Sequence, residues 1–143
     1  MRALGIDYGA RRIGLALSDA TGTLASPWRL VERPSSEGDT LRLIVETIDG
    51  LQREDEGLDV VVVGWPRRLD GTPTDQTPRV EAFARALEAR TTVRVVLQDE
   101  RLSSHEAERR LTERGHRDWR VRKKKLDAAA AAVVLQDFLD HRS

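Results

Sequence analysis

Two apolar runs of this 143-residue chain end in carboxylates. Ala3-Leu4-Gly5-Ile6 leads into Asp7, and Val93 to Leu97 leads into Gln98-Asp99-Glu100. A third acid, Asp127, stands just ahead of the run Ala128 to Leu135. In open α/β sheets the ligand site lies beyond the carboxyl ends of the parallel strands. If the two runs are parallel strands, Asp7 and Glu100 share that edge. Carboxylates gathered in a low-dielectric cleft repel one another, so such a cluster raises one pKa or holds a cation. Oxygen-only donors suit Mg²⁺ or Mn²⁺ rather than zinc. Two such ions about 3.5–4 Å apart are the usual machinery for in-line attack on a phosphodiester.

Each acid also has a duller use. Asp7 can bound a strand and bond a turn amide. Glu100 can pair with Arg101 or Arg12. Asp127 can cap a helix or face its dipole. The chemistry needs all three to converge, and the chain permits it. A helix opening at Ser104 descends about 16 Å at ~1.5 Å per residue. The ten-residue connector after it spans up to about 33 Å, enough to return Asp127 to the edge that Asp7 and Glu100 share.

The charges add a second signal. The 24 basic and 24 acidic residues cancel, but unevenly along the chain. Glu32 to Asp59 holds nine acids against three bases, and Arg101 to Leu126 holds ten bases against four acids. All three lysines are consecutive, Lys123-Lys124-Lys125. A local basic stretch on a neutral chain reads as a directed anion contact or as a solvated loop. Beside a carboxylate cluster, Arg117, Arg120, Arg122 and Lys123 to Lys125 would hold nucleic-acid phosphates. Arg12 and Arg101 flank the acids themselves. Trp119 either stacks on a base or anchors the connector on the core.

These residues need elements to position them. Arg12 to Ser18 alternates Ile13, Leu15 and Leu17 with small residues, a strand period. Thr23 to Val31 reads as a further strand, with Pro27 marking an edge or a bulge. With Ala3 to Ile6 these make a meander. Ser35 or Ser36 caps a helix carrying Leu41, Ile44, Val45, Ile48 and Leu51. Val60 to Val63 is four β-branched residues in a row, the pattern of a strand buried on both faces of a parallel sheet, ending at Gly64-Trp65-Pro66. Pro78 to Arg90 reads as a helix and Val93 to Leu97 as the last strand. Ser103 to Glu106 resembles a capping box for a helix running to Arg114 and stopping at Gly115. His116 to Lys125 is a basic connector, and Leu126 to Leu139 a final helix. The order β-β-β-α-β-α-β-α-α predicts an α/β layer fold, a mixed five-stranded sheet with parallel centre and helices on both faces.

Composition bounds the rest. The length suits one domain, taken as residues 1–143. Hydrophobic residues make up 39% and charged residues 34%, which excludes a membrane span and leaves a soluble domain with a charged surface. There is no cysteine, so disulfides, thiol catalysis and Cys-ligated zinc are excluded. His105, His116 and His141 match no zinc spacing. The opening residues lack a signal-peptide pattern, and the expected location is cytoplasmic. Asp7-Tyr8-Gly9 followed by Gly14 also fits the phosphate-binding turn of sugar kinases and actin-like ATPases. Those enzymes need two such domains.

Read in order, the motifs resemble the YqgF/RuvX family. Leu4-Gly5-Ile6-Asp7-Tyr8-Gly9, Arg12-Ile13-Gly14-Leu15-Ala16 and Ser18-Asp19 are similar to its opening. Val63-Gly64 with Pro66 and Gly71 resembles a second block, and Asp99 to Ser104 with Ala107 a third. Lys123-Lys124-Lys125, Asp127, Ala130-Ala131 and Leu135-Gln136 resemble the last. The resemblance implies an RNase H-like fold and a RuvC-type acidic site. Asp7, Glu100 and Asp127 would then be the catalytic acids and the ligands of Mg²⁺ or Mn²⁺. It implies trimming of the 5′ end of precursor 16S rRNA, with resolution of four-way DNA as the alternative, and a monomer or homodimer with nucleic acid as partner. Arg67-Arg68-Leu69 departs from an Asn-containing stretch common in relatives. A non-catalytic nucleic-acid-binding assembly factor is the rival class.

Overall fold

The computed structural model describes residues 1–100 and 119–142, with side chains at 1–100 and 128–142. Five strands form one mixed sheet: β1 (Ala3–Tyr8), β2 (Arg12–Ser18), β3 (Ala25–Glu32), β4 (Val60–Trp65) and β5 (Arg94–Asp99), in the order β3-β2-β1-β4-β5. β1, β2 and β3 pair antiparallel as a meander, while β1–β4 and β4–β5 pair parallel. The helices are α1 (Glu37–Gln52), α2 (Thr77–Arg90) and α3 (Trp119–His141). The helix expected from Ser104 to Arg114 lies outside the described residues.

The strand alternation decides which face each helix covers. Leu4, Ile6, Ile13, Leu15, Val61 and Val63 pack with Leu41, Ile44, Ile48, Val80, Phe83 and Leu87 of α1 and α2. Ala3, Ala16, Val60 and Val62 pack with Ala131, Val134, Leu135 and Leu139 of α3 on the other face. β4 is flanked by β1 and β5, and Val60 to Val63 are each at most 2% exposed. That is why it carries no polar residue: both faces are covered. β3 is an edge strand, and its register shifts against β2 between Leu15 and Ala16, where Ala16 pairs with Pro27. An edge tolerates the missing proline amide.

Local signals explain most boundaries. The Ser36 hydroxyl accepts from the Asp39 amide at 3.0 Å and caps α1. Pro78 sits in the first turn of α2, where a missing N–H costs nothing. The Gly9 amide donates to the Arg12 carbonyl at 3.0 Å, closing the β1–β2 hairpin on itself.

Strand boundaries differ from the sequence reading by one or two residues, and one helix boundary differs by more. The last helix begins at Trp119, not Leu126, so residues 119–125 of the expected connector are helical. Arg and Lys are good helix formers, and no Gly or Pro interrupts the chain from there to Gln136. A run of like charge resembles a loop by composition but retains helix propensity. Among the described residues no helix is long and apolar enough to cross a membrane.

Candidate active site

The parallel pairing puts the ends of β1, β4 and β5 at one edge. Ile6 is level with Val63, and Gly64 and Trp65 are level with Gln98 and Asp99. Asp7 therefore stands beside Gly64, with Glu100 just past the end of β5. By alternation Asp7 belongs with Ala3 and Gly5 on the α3 face. Glu100 is on that face too: a β-carbon on Gly64 would collide with its Oε2 and lie 3.5 Å from Cγ2 of Val134. The Glu100 amide donates to the Trp65 carbonyl at 3.2 Å, fixing its backbone to the end of β4.

This environment changes Glu100 chemically. Burial, then the charge of Asp7, then that of Asp99, push its carboxyl up to about 8. A carboxylate desolvated beside a second one favours a proton or a cation. The pocket left by Gly64 is filled by an oxygen, not by a carbon. An all-oxygen donor set of this kind fits a hard divalent ion such as Mg²⁺ or Mn²⁺.

The third acid enters through the backbone of α3. A β-carbon on Gly5 would come within 2.8 Å of Leu135 Cβ and 3.0 Å of the Ala131 carbonyl, so the helix rests directly on β1. Farther along, Arg142 donates to the Gly22 carbonyl at 3.2 Å, and Gly22 follows β2 at the opposite edge of the sheet. α3 thus runs antiparallel to β1. Residue 127 lies one helical turn before Ala131, toward the Asp7 end, on the stripe of Ala131 and Leu135. Its expected place at the start of the helix, as a cap, is corrected: it is well inside α3. Its side chain lies outside the described residues. Among the described residues no three His, Asp or Glu side chains come together to hold a metal ion.

The basic residues divide. Arg12 Nε is 3.3 Å from Oε1 of Glu32, an exposed pair across β2 and β3. Arg101 and Arg117 lie outside the described residues. Trp119, Arg120, Arg122 and Lys123 to Lys125 form the first two turns of α3, their side chains again outside. Those turns continue the helix past residue 127, away from the sheet, for about 12 Å at ~1.5 Å per residue.

Two contributors escape sequence reading. Gly64 reads as a strand terminator, yet it makes the room for Glu100. Arg67 reads only as part of a departure from the family pattern, yet its guanidinium lies 4.4 Å from the Trp65 ring and 3.7 Å from the Asp99 carboxylate. Neither shows a local pattern, because the acid that each one meets, Glu100 for Gly64 and Asp99 for Arg67, is more than thirty positions away.

Known proteins resemble this chain in sequence and in fold. The sequence model of the RuvX family, described as "Holliday junction resolvase", matches residues 1–141. A protein of Anaeromyxobacter sp. (strain Fw109-5) named "Putative pre-16S rRNA nuclease" is 44% identical over 142 residues, covering 99% of this chain and 98% of its own. One of the same name from Maridesulfovibrio salexigens is 40% identical over 139 residues, covering 97% and 98%. Among solved structures, Thermus thermophilus RuvC superposes with a TM-score of 0.53 at 16% identity, covering 94% of this chain and 92% of its own. That likeness identifies the fold as RNase H-like. With the family's pattern running from end to end and relatives matched over almost their whole length, the chain belongs to the RuvX family.

Proposed function

We propose that this chain is a divalent-metal-dependent endonuclease that hydrolyses phosphodiester bonds of structured nucleic acid. Its proposed substrate is the 5′ region of precursor 16S rRNA, processed in the cytoplasm by a single domain. The observation that carries the reading is the placement of Glu100, desolvated against Gly64 in the field of Asp7 at the carboxyl edge of the sheet. A purely structural acid is seldom held where its own charge is penalised twice. The name shared by the full-length relatives supports the substrate.

In this reading the carboxylates of Asp7, Glu100 and Asp127 hold Mg²⁺ or Mn²⁺. When bound, the metal supplies Lewis-acid activation of the attacking water and of the leaving oxygen. Glu100 retains a proton while the site is empty and releases it on loading. Asp7 stands near the end of β1, so its backbone is fixed by the sheet. The first turns of α3, with Arg120, Arg122 and Lys123 to Lys125, grip phosphates beside the acids, together with Arg101, Arg117 and Arg12, and Trp119 stacks on a base.

Four-way DNA is the second candidate substrate, favoured by the family description. The deciding experiment assays cleavage of precursor 16S rRNA and four-way DNA with Mg²⁺ or Mn²⁺. Asp7→Asn, Glu100→Gln and Asp127→Asn run beside the wild type. The expected result is rRNA cleavage by the wild type alone, with binding retained in all three variants. Binding without cleavage by the wild type would make the chain an assembly factor instead.

A further inference from the structure

The end of β4 grips residues 99 and 100 from two sides. The Trp65 carbonyl accepts the Glu100 amide at 3.2 Å, and Arg67 Nη1 lies 3.7 Å from Oδ2 of Asp99. An ion pair of that length, with both side chains 28% exposed, is a weak restraint by itself. The guanidinium, however, is already held. Its Nε donates to the Gly71 carbonyl at 2.9 Å, and Nη2 donates to the same oxygen. Its plane lies over the Trp65 ring at 4.4 Å. The Trp65 indole N–H in turn donates to Oε1 of Glu81 on α2 at 3.3 Å. The loop that carries Arg67 is closed by the Arg67–Pro73 bridge and by Gly71, whose φ of +89° suits only glycine. A planar fork pre-oriented in this way loses little freedom when it meets a carboxylate.

We propose that Arg67 is a positioning residue for Glu100 that acts through Asp99. The chain of contacts from Glu81 through Trp65 and Arg67 to Asp99 ties the last residue of β5 to α2. Glu100 follows directly, and its side chain must drop into the space over Gly64. Removing Arg67 takes a positive charge away from Asp99, next to Glu100, and removes the side-chain link from the strand end to α2, leaving the backbone pairing with Trp65. The Glu100 carboxylate then leaves the ion-holding pose. This assignment rests on the nuclease reading for its catalytic consequence, but its effect on ion binding is separate.

The test uses the full chain with Arg67→Ala, Arg67→Lys, Asp99→Asn and the Arg67→Ala/Asp99→Asn double variant. Mn²⁺ alone is titrated by calorimetry, and cleavage is measured as kcat and KM. Each Ala or Asn single variant should weaken Mn²⁺ binding about 10-fold, the scale of losing a group that orients a metal ligand. The double variant should lose no more than either single one, because both act in one chain. kcat should fall with the nucleic-acid KM within about twofold, and Arg67→Lys should recover part of both losses. Unchanged Mn²⁺ binding, losses that multiply in the double variant, or a raised KM with kcat intact would overturn the proposal. Raised KM with intact kcat would make Arg67 a phosphate contact. A wild type that binds Mn²⁺ with this variant pattern but cleaves nothing would keep the positioning role and remove the nuclease reading. A wild type that binds no Mn²⁺ would overturn both.

Discussion

The carboxylate of Glu100 occupies the space that a β-carbon on residue 64 would fill. The glycine is on β4 and the acid lies just past the end of the neighbouring β5, so one substitution reaches the site without touching an acid. Gly64→Ala meets the far end of a flexible side chain, which swings away cheaply. Stability should change by less than about 1 kcal/mol. Cleavage should fall about 10- to 100-fold, because an ångström of misplacement at a reacting centre has that effect. Urea unfolding and kcat for the same variant check the two halves, and a variant cleaving at the wild-type rate refutes the arrangement.

Gly5 makes the complementary case. Its hypothetical β-carbon meets Leu135 Cβ at 2.8 Å and the Ala131 carbonyl at 3.0 Å, atoms that cannot swing aside. Gly5→Ala must lift α3 off β1. It should cost about 1–3 kcal/mol, as overpacking does. It should also lower cleavage beyond what the unfolded fraction explains, since α3 carries Asp127. Thermal melts and activity well below the melting temperature separate the two effects.

The first turns of α3 yield a salt-dependence test. Replacing Lys123, Lys124 and Lys125 together with Ala removes charges from a helical segment, and Ala keeps the helix. Nucleic-acid affinity should drop, and the slope of log affinity against log salt should shrink by about 1–3. kcat at saturating substrate should hold. Fluorescence anisotropy across a salt series measures the slope. An unchanged slope means the lysines face away from the phosphates.

Much of this was legible in the residues because it is periodic. The alternation of Arg12 to Ser18 announces a strand, and the four valines of β4 announce one buried on both faces. Pro27 announces the edge. The parallel pairing then follows from the crossovers, and with it the shared edge of Asp7 and Glu100. The start of α3 was not legible. Trp119 to Lys125 lacks an apolar stripe, and charge spacing alone cannot separate a solvated helix from a loop. The role of Gly64 was not legible either, since it depends on a side chain from another strand. Arg67 is hidden for the same reason: the acid it meets, Asp99, lies on β5.

The raised carboxyl of Glu100 makes the empty protein pH-sensitive in a defined direction. The folded-state value is about 8, against the ordinary 4.5. Below the ordinary value, folded and unfolded chains both hold the proton and the group contributes no difference. Between the two values the folded chain holds the proton and the unfolded chain does not. Folding is therefore progressively disfavoured as pH rises through that window, and the penalty levels off above it. Glu100→Gln removes the titration and should remove that slope. In EDTA, the wild type should lose about 1–3 kcal/mol relative to Glu100→Gln between roughly pH 5.5 and 8.5. Titrating groups that do not interact with Glu100 cancel in the comparison. Added Mn²⁺ should restore the wild type at the high-pH end and leave Glu100→Gln nearly unmoved, because a bound cation stabilises only the chain that offers the carboxylate. Urea midpoints at several pH values, with and without Mn²⁺, are the measurement. Parallel curves for the two proteins in EDTA would mean that Glu100 is ionised in the folded state without penalty, and that Asp7 does not act on it.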